Sequence, residues 1–213
     1  MKVIAINGSP RKNGNTAILL GKALEGATFK KAETEMIHLY DLNFKGCNSC
    51  FACKVLGGKS YGKCAVKDDL KELFNKIEAA DAFILGSPIY LGEVTGEMRS
   101  FLERLFFQYL VYDKERSILV PKTLKTGFIF TMNAPEKVIK DLGYEQKFKG
   151  YEAILKRFFG SSKHLTVTDT LQFDDYSKYM AIGFNAGAKA KRRKEVFPVD
   201  CEKAYQFGAA LVD

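Results

Sequence analysis

The apolar run Val3-Ile4-Ala5-Ile6 leads into a small polar loop, Asn7-Gly8-Ser9-Pro10-Arg11-Lys12-Asn13-Gly14-Asn15-Thr16, and then into the helical pattern Thr16-Ala17-Ile18-Leu19-Leu20. A short run with no polar alternation reads as a strand buried on both faces, so this stretch commits the chain to a strand, a loop and a helix in sequence. The loop then aims backbone N–H groups at whatever sits above the strand end, and an anion there gains hydrogen bonds and a favourable helix dipole. The spacing from Gly8 to Thr16 suits a triphosphate loop, but Asn15 stands where that loop needs a lysine, which disfavours ATP and GTP. The three glycines of a dinucleotide fingerprint are also absent. A monophosphate fits best, bonded by Ser9, Asn15 and Thr16 with Arg11 as countercharge. The plainer alternative is a polar turn in which Asn15 or Thr16 is an ordinary N-cap.

The same alternation continues. Strands are expected near residues 2–7, 35–40, 82–86, 126–132 and 165–168, with helices near 16–27, 68–79, from 96, 135–159 and 200–212. Five strands separated by helices make an α/β, doubly wound parallel sheet in a three-layer sandwich. The expected order is 2-1-3-4-5, the flavodoxin-like variant, with a ligand at the carboxyl ends of strands one and three. A chain of 213 residues, 46% of them hydrophobic, is enough for one such domain over residues 1–213 and short for two. In the helix from Gly96, the stretch 105–112 is apolar nearly all round and needs a second covering surface, either a subunit contact or an internal flap.

In this topology the loops after strands one, three and four meet at one edge. The second of them, Ser87 to Gly96, sets the rigid Pro88 and the side chains of Ile89, Tyr90 and Leu91 beside Gly92, where backbone can approach closely. That suits a planar, mostly apolar ring. The third brings Thr131, Met132 and Asn133, whose backbone and amide groups can bond the polar edge of such a ring. A phosphate at one end and a flat ring at the other point to FMN.

Between the second strand and the next helix lie Cys47, Cys50 and Cys53, three residues apart, and then Cys64. Cysteines at that spacing can converge on an iron–sulfur cluster. Zinc is disfavoured because the crowding is unlike paired zinc knuckles, and reduced thiols in an ordered loop remain the other reading. Cys201 stands apart as a small packing residue.

The paired segments Gly8-Ser9-Pro10-Arg11 with Gly14-Asn15-Thr16, and Ser87-Pro88-Ile89-Tyr90 with Thr95-Gly96 ahead of a helix carrying Phe101 and Arg104, resemble the NADPH-dependent FMN reductase family and its iron–sulfur flavoprotein branch. The resemblance spans nearly the whole chain. It implies that Ser9, Arg11, Asn13, Asn15 and Thr16 hold the FMN phosphate, that the segment from Pro88 through Ile89, Tyr90 and Leu91 to Gly92 borders the isoalloxazine ring, and that Thr131, Met132 and Asn133 lie nearby. It further implies a [4Fe-4S] cluster on Cys47, Cys50, Cys53 and Cys64, NAD(P)H as electron donor, a small-molecule or redox-protein acceptor, and a homodimer or homotetramer. The alternative within this branch is an electron-transfer relay through FMN and the cluster. No side chain is assigned a catalytic role, because the cofactor carries the chemistry; His38 and His164 read as strand residues.

The net charge of +8 and the run from Lys189 to Lys194 raise the question of nucleic acid. No recognised nucleic-acid module surrounds the run, and a solvated helix face or attraction of anionic small molecules explains it better. With no signal-peptide core or membrane-length apolar window, a soluble, cytoplasmic protein is expected.

Overall fold

The computed structural model describes residues 1–213. The elements run β1 (Lys2–Asn7), α1 (Asn15–Phe29), β2 (Glu33–His38), α2 (Leu70–Ala79), β3 (Ala82–Tyr90), β4 (Glu93–Val94), α3 (Gly96–Tyr109), β5 (Leu124–Thr131), α4 (Glu136–Asp141), α5 (Tyr144–Phe159), β6 (Gly160–Val167), α6 (Ala186–Glu195) and α7 (Phe197–Ala209). Five of the six strands form a parallel sheet in the order β2-β1-β3-β5-β6. With the two-residue β4 set aside, this is the order expected from the sequence.

The two-residue period of a strand divides each central strand between two cores. On one face Ile4, Ile6, Phe83, Leu85, Phe128 and Phe130 pack under α2, α3 and α5. On the other, Val3, Ala5, Ala82, Ile84 and Ile129 pack under α1 and α7. The second layer is very close: a Cβ built on Gly26 of α1 lies 2.0 Å from Tyr205 O of α7, and one on Gly208 lies 1.8 Å from Ala23 O.

Several boundaries differ from the sequence reading. The helix expected over 135–159 is two helices, broken where Gly143 takes φ 68°; a glycine in the left-handed region stops a helix. The last strand begins at Gly160, ahead of the apolar residues that announced it, because β6 is an edge strand and its first residues, Gly160 and Ser161, are exposed. Expected as an open loop, residues 87–96 instead carry β3 on to Tyr90 and return as β4, with Ile89 opposite Val94 and Tyr90 opposite Glu93. Leu91 and Gly92 form the tight turn, at φ 51° and 82°, as hairpin turns with two left-handed residues require.

Residues 105–112 also find much of their cover inside the chain. Leu105 and Tyr109 are fully buried, Phe106 packs on Phe158 of α5 with ring centroids 4.9 Å apart, and Phe107 meets Phe51 of the cysteine loop at 5.8 Å. The internal flap is therefore real, and Tyr112 is the large apolar residue of that stretch left exposed.

Candidate functional site

Three loops do meet at one sheet edge, where they border a cleft of about 540 Å³. The first is held rigidly. Gly8 N donates to Gly86 O at 2.8 Å, and Thr95, which caps α3, donates its hydroxyl to Gly8 O at 2.7 Å. Gly8 has no room for a side chain, since a Cβ there lies 2.9 Å from Met98 Cε. Within the loop, Asn7 Oδ1 accepts from Ser9 N at 3.0 Å and Ser9 Oγ accepts from Arg11 N at 3.2 Å.

The N-terminus of α1 is uncapped. Gly14 holds the N-cap position, no side chain bonds the first turn, and no acid lies in that turn. The opening N–H groups of a helix have no partner within it, so these donors and the positive end of the dipole are left for an external anion. The ordinary N-cap that the sequence allowed for Asn15 or Thr16 is not what the structure contains.

Of the residues chosen from sequence, Ser9, Arg11, Asn13, Asn15 and Thr16 line the cleft. Pro88, Ile89 and Tyr90 line it as well, as do Thr131, Met132 and Asn133. Leu91 and Gly92 do not join them. Leu91 sits at the hairpin tip, entirely exposed, and Gly92 faces the Tyr144 ring.

The polar side chains are already linked. Thr16 and Thr131 share a buried hydroxyl–hydroxyl bond of 2.7 Å, joining the first loop to the third. Asn15 Nδ2 donates to Leu171 O at 2.8 Å while its Oδ1 accepts from Arg193 at 2.9 Å. Arg11 donates to Gln172 O at 2.6 Å, and Asn133 Nδ2 to Gln172 Oε1 at 2.8 Å. Sequence reasoning missed this fourth wall. Thr170 to Asp174, Tyr179 and Arg193 all border the cleft, and the segment is pinned by Asp169 N to Ala134 O at 2.8 Å and Thr170 N to Met132 O at 3.0 Å. Phe173 and Tyr179 stack with ring centroids 4.0 Å apart, and both line the cleft, as Tyr90 does. The only hint in the sequence was the aromatic spacing of residues 173–179.

The four clustered cysteines occupy a different place. Cys47, Cys50, Cys53 and Cys64 border one small cavity together with Arg104, Phe107 and Gln108. All are free thiols, and no three metal-binding side chains are gathered to hold a single ion. Between the cysteines, Ser49 and Phe51 both take φ 55°, so the backbone winds in the alternating way that forms anion-binding nests. Arg104 reaches the cavity from α3: its Nη2 lies 2.9 Å from Asp68 Oδ1 and 3.4 Å from Cys64 Sγ, and its Nη1 donates to Lys45 O at 3.1 Å. Burial alone would lower the Arg104 pKa, but hydrogen bonds to Asp68 and Cys64 outweigh it and raise the value. Burial pushes the Cys53 thiol up against the pull of the Lys54 ammonium. Two buried donors beside the thiols, Arg104 Nε and Gln108 Nε2, have no acceptor, and buried donors without partners are costly enough to need a reason.

The chain is similar to several known proteins. An iron–sulfur flavoprotein of Methanocaldococcus jannaschii is 41% identical over 104 residues, covering 49% of this chain and 51% of that protein. One from Archaeoglobus fulgidus is 40% identical over 104 residues, covering 49% of this chain and 48% of that protein. The chain thus matches about half the length of these relatives. Among solved structures, an NAD(P)H:quinone oxidoreductase from Methanothermobacter marburgensis superposes with a TM-score of 0.71 over 98% of both chains at 15% identity, a likeness of fold. The rigid first loop, the β3–β4 hairpin and the cysteine segment all fall within residues 1–123, which match the family described as NADPH-dependent FMN reductase. By that match over more than half its length, this chain belongs to the NADPH-dependent FMN reductase family.

Proposed function

We propose that the cleft binds FMN and that the protein is an NAD(P)H-dependent flavin oxidoreductase passing electrons to a small-molecule or protein acceptor. One observation carries the reading: an uncapped helix N-terminus, and one cleft lined both by Ser9, Arg11 and Thr16 and by Pro88, Ile89 and Tyr90. The first set offers N–H groups, hydroxyls and a guanidinium to a phosphate. The second offers flat apolar surface to a ring. Bound there, FMN would supply the hydride- and electron-transfer chemistry between a nicotinamide nucleotide and an acceptor.

The chain's own residues bind and orient. The Thr16–Thr131 bond fixes the distance between phosphate seat and ring wall. Tyr90, about half exposed at the end of β3, is a wall for the ring and leaves its outer face open to a second planar molecule. The hairpin turn holds that wall in place from outside the cleft.

A second reading adds a relay through a [4Fe-4S] cluster. It is favoured by four thiols around one cavity with two unpartnered buried donors and a nest-like backbone. Cys47, Cys50, Cys53 and Cys64 would hold such a cluster, which would supply one-electron transfer, with the unpartnered donors of Arg104 and Gln108 beside them. An assembly of two or four copies would cover Phe51, Tyr112 and Ile154, which stay exposed or half-exposed beside this loop.

The absorption spectrum of anaerobically purified protein, taken before and after NADPH or NADH, tests both readings. Flavin bands that bleach with nicotinamide nucleotide are expected. A protein that carries no flavin and takes up none on titration with FMN rules out the cleft assignment. Iron and sulfide that persist in wild type and vanish in Cys50→Ser are expected of the cluster; iron with a flavin that neither nucleotide bleaches would favour the relay over the reductase.

A further inference from the structure

The basic run of residues 189–194 does not form one solvated face. Lys191 and Lys194 are exposed, but the other three cations turn inward. Lys189 is buried and bonds Asn133 O at 2.6 Å and the Asp169 carboxylate. Arg192 lies between Asp200, at 2.8 Å, and Asp169, at 3.9 Å. Arg193 differs from both. Its protein contacts are a neutral amide, Asn15 Oδ1 at 2.9 Å, and the face of the buried Phe197 ring, 3.9 Å from the centroid. No carboxylate pairs with it, and its side chain borders the cleft beside the first turn of α1.

We infer that Arg193 is a specificity-determining residue for the phosphate of the ligand, and selects a phosphorylated flavin over its unphosphorylated form. The inference rests on the reading that the cleft holds FMN. An arginine presents its donors in a flat fork that matches two phosphate oxygens. Here Phe197 fixes the plane of that fork and Asn15 fixes its rotation, so little freedom is lost when an anion arrives. Asn15 is also the first residue of the helix whose opening turn carries no side-chain cap, so the residue that holds Arg193 belongs to the same uncapped turn. Arg11 is the second cation of the lining, bonded to the neutral Gln172 carbonyl. Asp174 is the one acid of the lining, so two guanidiniums face one carboxylate and an incoming dianion restores the balance. Arg193 lies beyond residues 1–123, so the family match says nothing of it.

The test is fluorescence titration of wild type, Arg193→Gln, Arg193→Lys and Lys194→Gln with FMN and with riboflavin, at two salt concentrations, alongside thermal melting of each apoprotein. Loss of a charge-assisted fork predicts roughly a 10- to 100-fold weaker FMN complex for Arg193→Gln with riboflavin affinity unchanged, and a shallower salt dependence. Arg193→Lys, a point charge without the fork, should recover part of the loss, and Lys194→Gln should match wild type for both flavins. Equal weakening of FMN and riboflavin, or FMN affinity unchanged in Arg193→Gln, would overturn the inference while leaving the FMN reading intact. A wild-type protein that takes up neither flavin would overturn the FMN reading and this inference with it.

Discussion

Replacing Arg104 with Met is expected to cost about 3–5 kcal/mol of folding stability, the usual penalty for removing one partner of a buried ion pair. Arg104 is 2% exposed, and both of its terminal nitrogens reach the Asp68 carboxylate. Take the guanidinium away and Asp68, itself mostly sheltered at 16% side-chain exposure, keeps a charge with no cation beside it. The carbonyl of Lys45 and the thiol of Cys64 lose their donor as well. The double variant Arg104→Met with Asp68→Leu should recover much of the loss, because an apolar pair of similar volume replaces buried ions at little cost. Recovery will stop short by about 1 kcal/mol, since Asp68 Oδ1 also accepts from Leu70 N at 3.2 Å and so satisfies the first backbone N–H of α2, which has no partner within the helix. Urea denaturation of the two variants and the wild type measures this. A single variant within about 1 kcal/mol of wild type would mean that the pair is far better solvated than its burial implies. Arg104 also clips the cysteine segment to α3, so the single variant should expose Cys64 to faster alkylation in the native state.

What the sequence revealed depended on how local the signal was. The first strand was legible to its ends, Lys2 and Asn7, because both core faces demand apolar residues there. Alternation implies a parallel sheet, and its order follows from the flavodoxin-like variant of that fold. Helix α6 shows in the sequence only as a charge run on a helix face and without bounds, since only Lys189 is buried along it and a polar helix has no apolar stripe to announce its ends; its cap, Asn185 Oδ1 accepting from Ala188 N at 2.9 Å, is the clue to where it starts. The cleft was half legible for the same reason. The phosphate loop and the β3 wall carry glycine, proline and small polar residues whose types imply their geometry, whereas Gln172 meets Arg11 from 161 residues away and leaves no local trace. Asn15 shows the difference most clearly. Sequence gave it a phosphate contact, and the structure has its amide already spent on Leu171 and Arg193, so it acts on an anion mainly through the arginine it holds.

Gly26→Ala is expected to destabilise the protein by about 3 kcal/mol, at the upper end of the overpacking range, and to weaken FMN binding, while Gly21→Ala in the same helix stabilises it. The contrast follows from what each new methyl group meets. At Gly26 the added Cβ lies 2.0 Å from the Tyr205 carbonyl oxygen and 3.0 Å from Ala209 N, backbone atoms that cannot rotate out of the way. Relief requires α1 and α7 to separate, which opens the layer formed by Leu20, Ala23 and Ala204. Interiors packed this tightly do not deform without loss elsewhere. Because the N-terminus of α1 is the proposed phosphate seat, tilting the helix also moves that seat against Thr131 and Arg193, to which Thr16 and Asn15 are bonded. At Gly21 a Cβ meets nothing within 4 Å, so the substitution removes only the entropic penalty of a mid-helix glycine and gains about 0.5–1 kcal/mol. Denaturation midpoints of opposite sign for the two variants, with FMN affinity lowered only in Gly26→Ala, are the expected pattern. Midpoints that move together would show that the contact between α1 and α7 does not set the position of the phosphate loop.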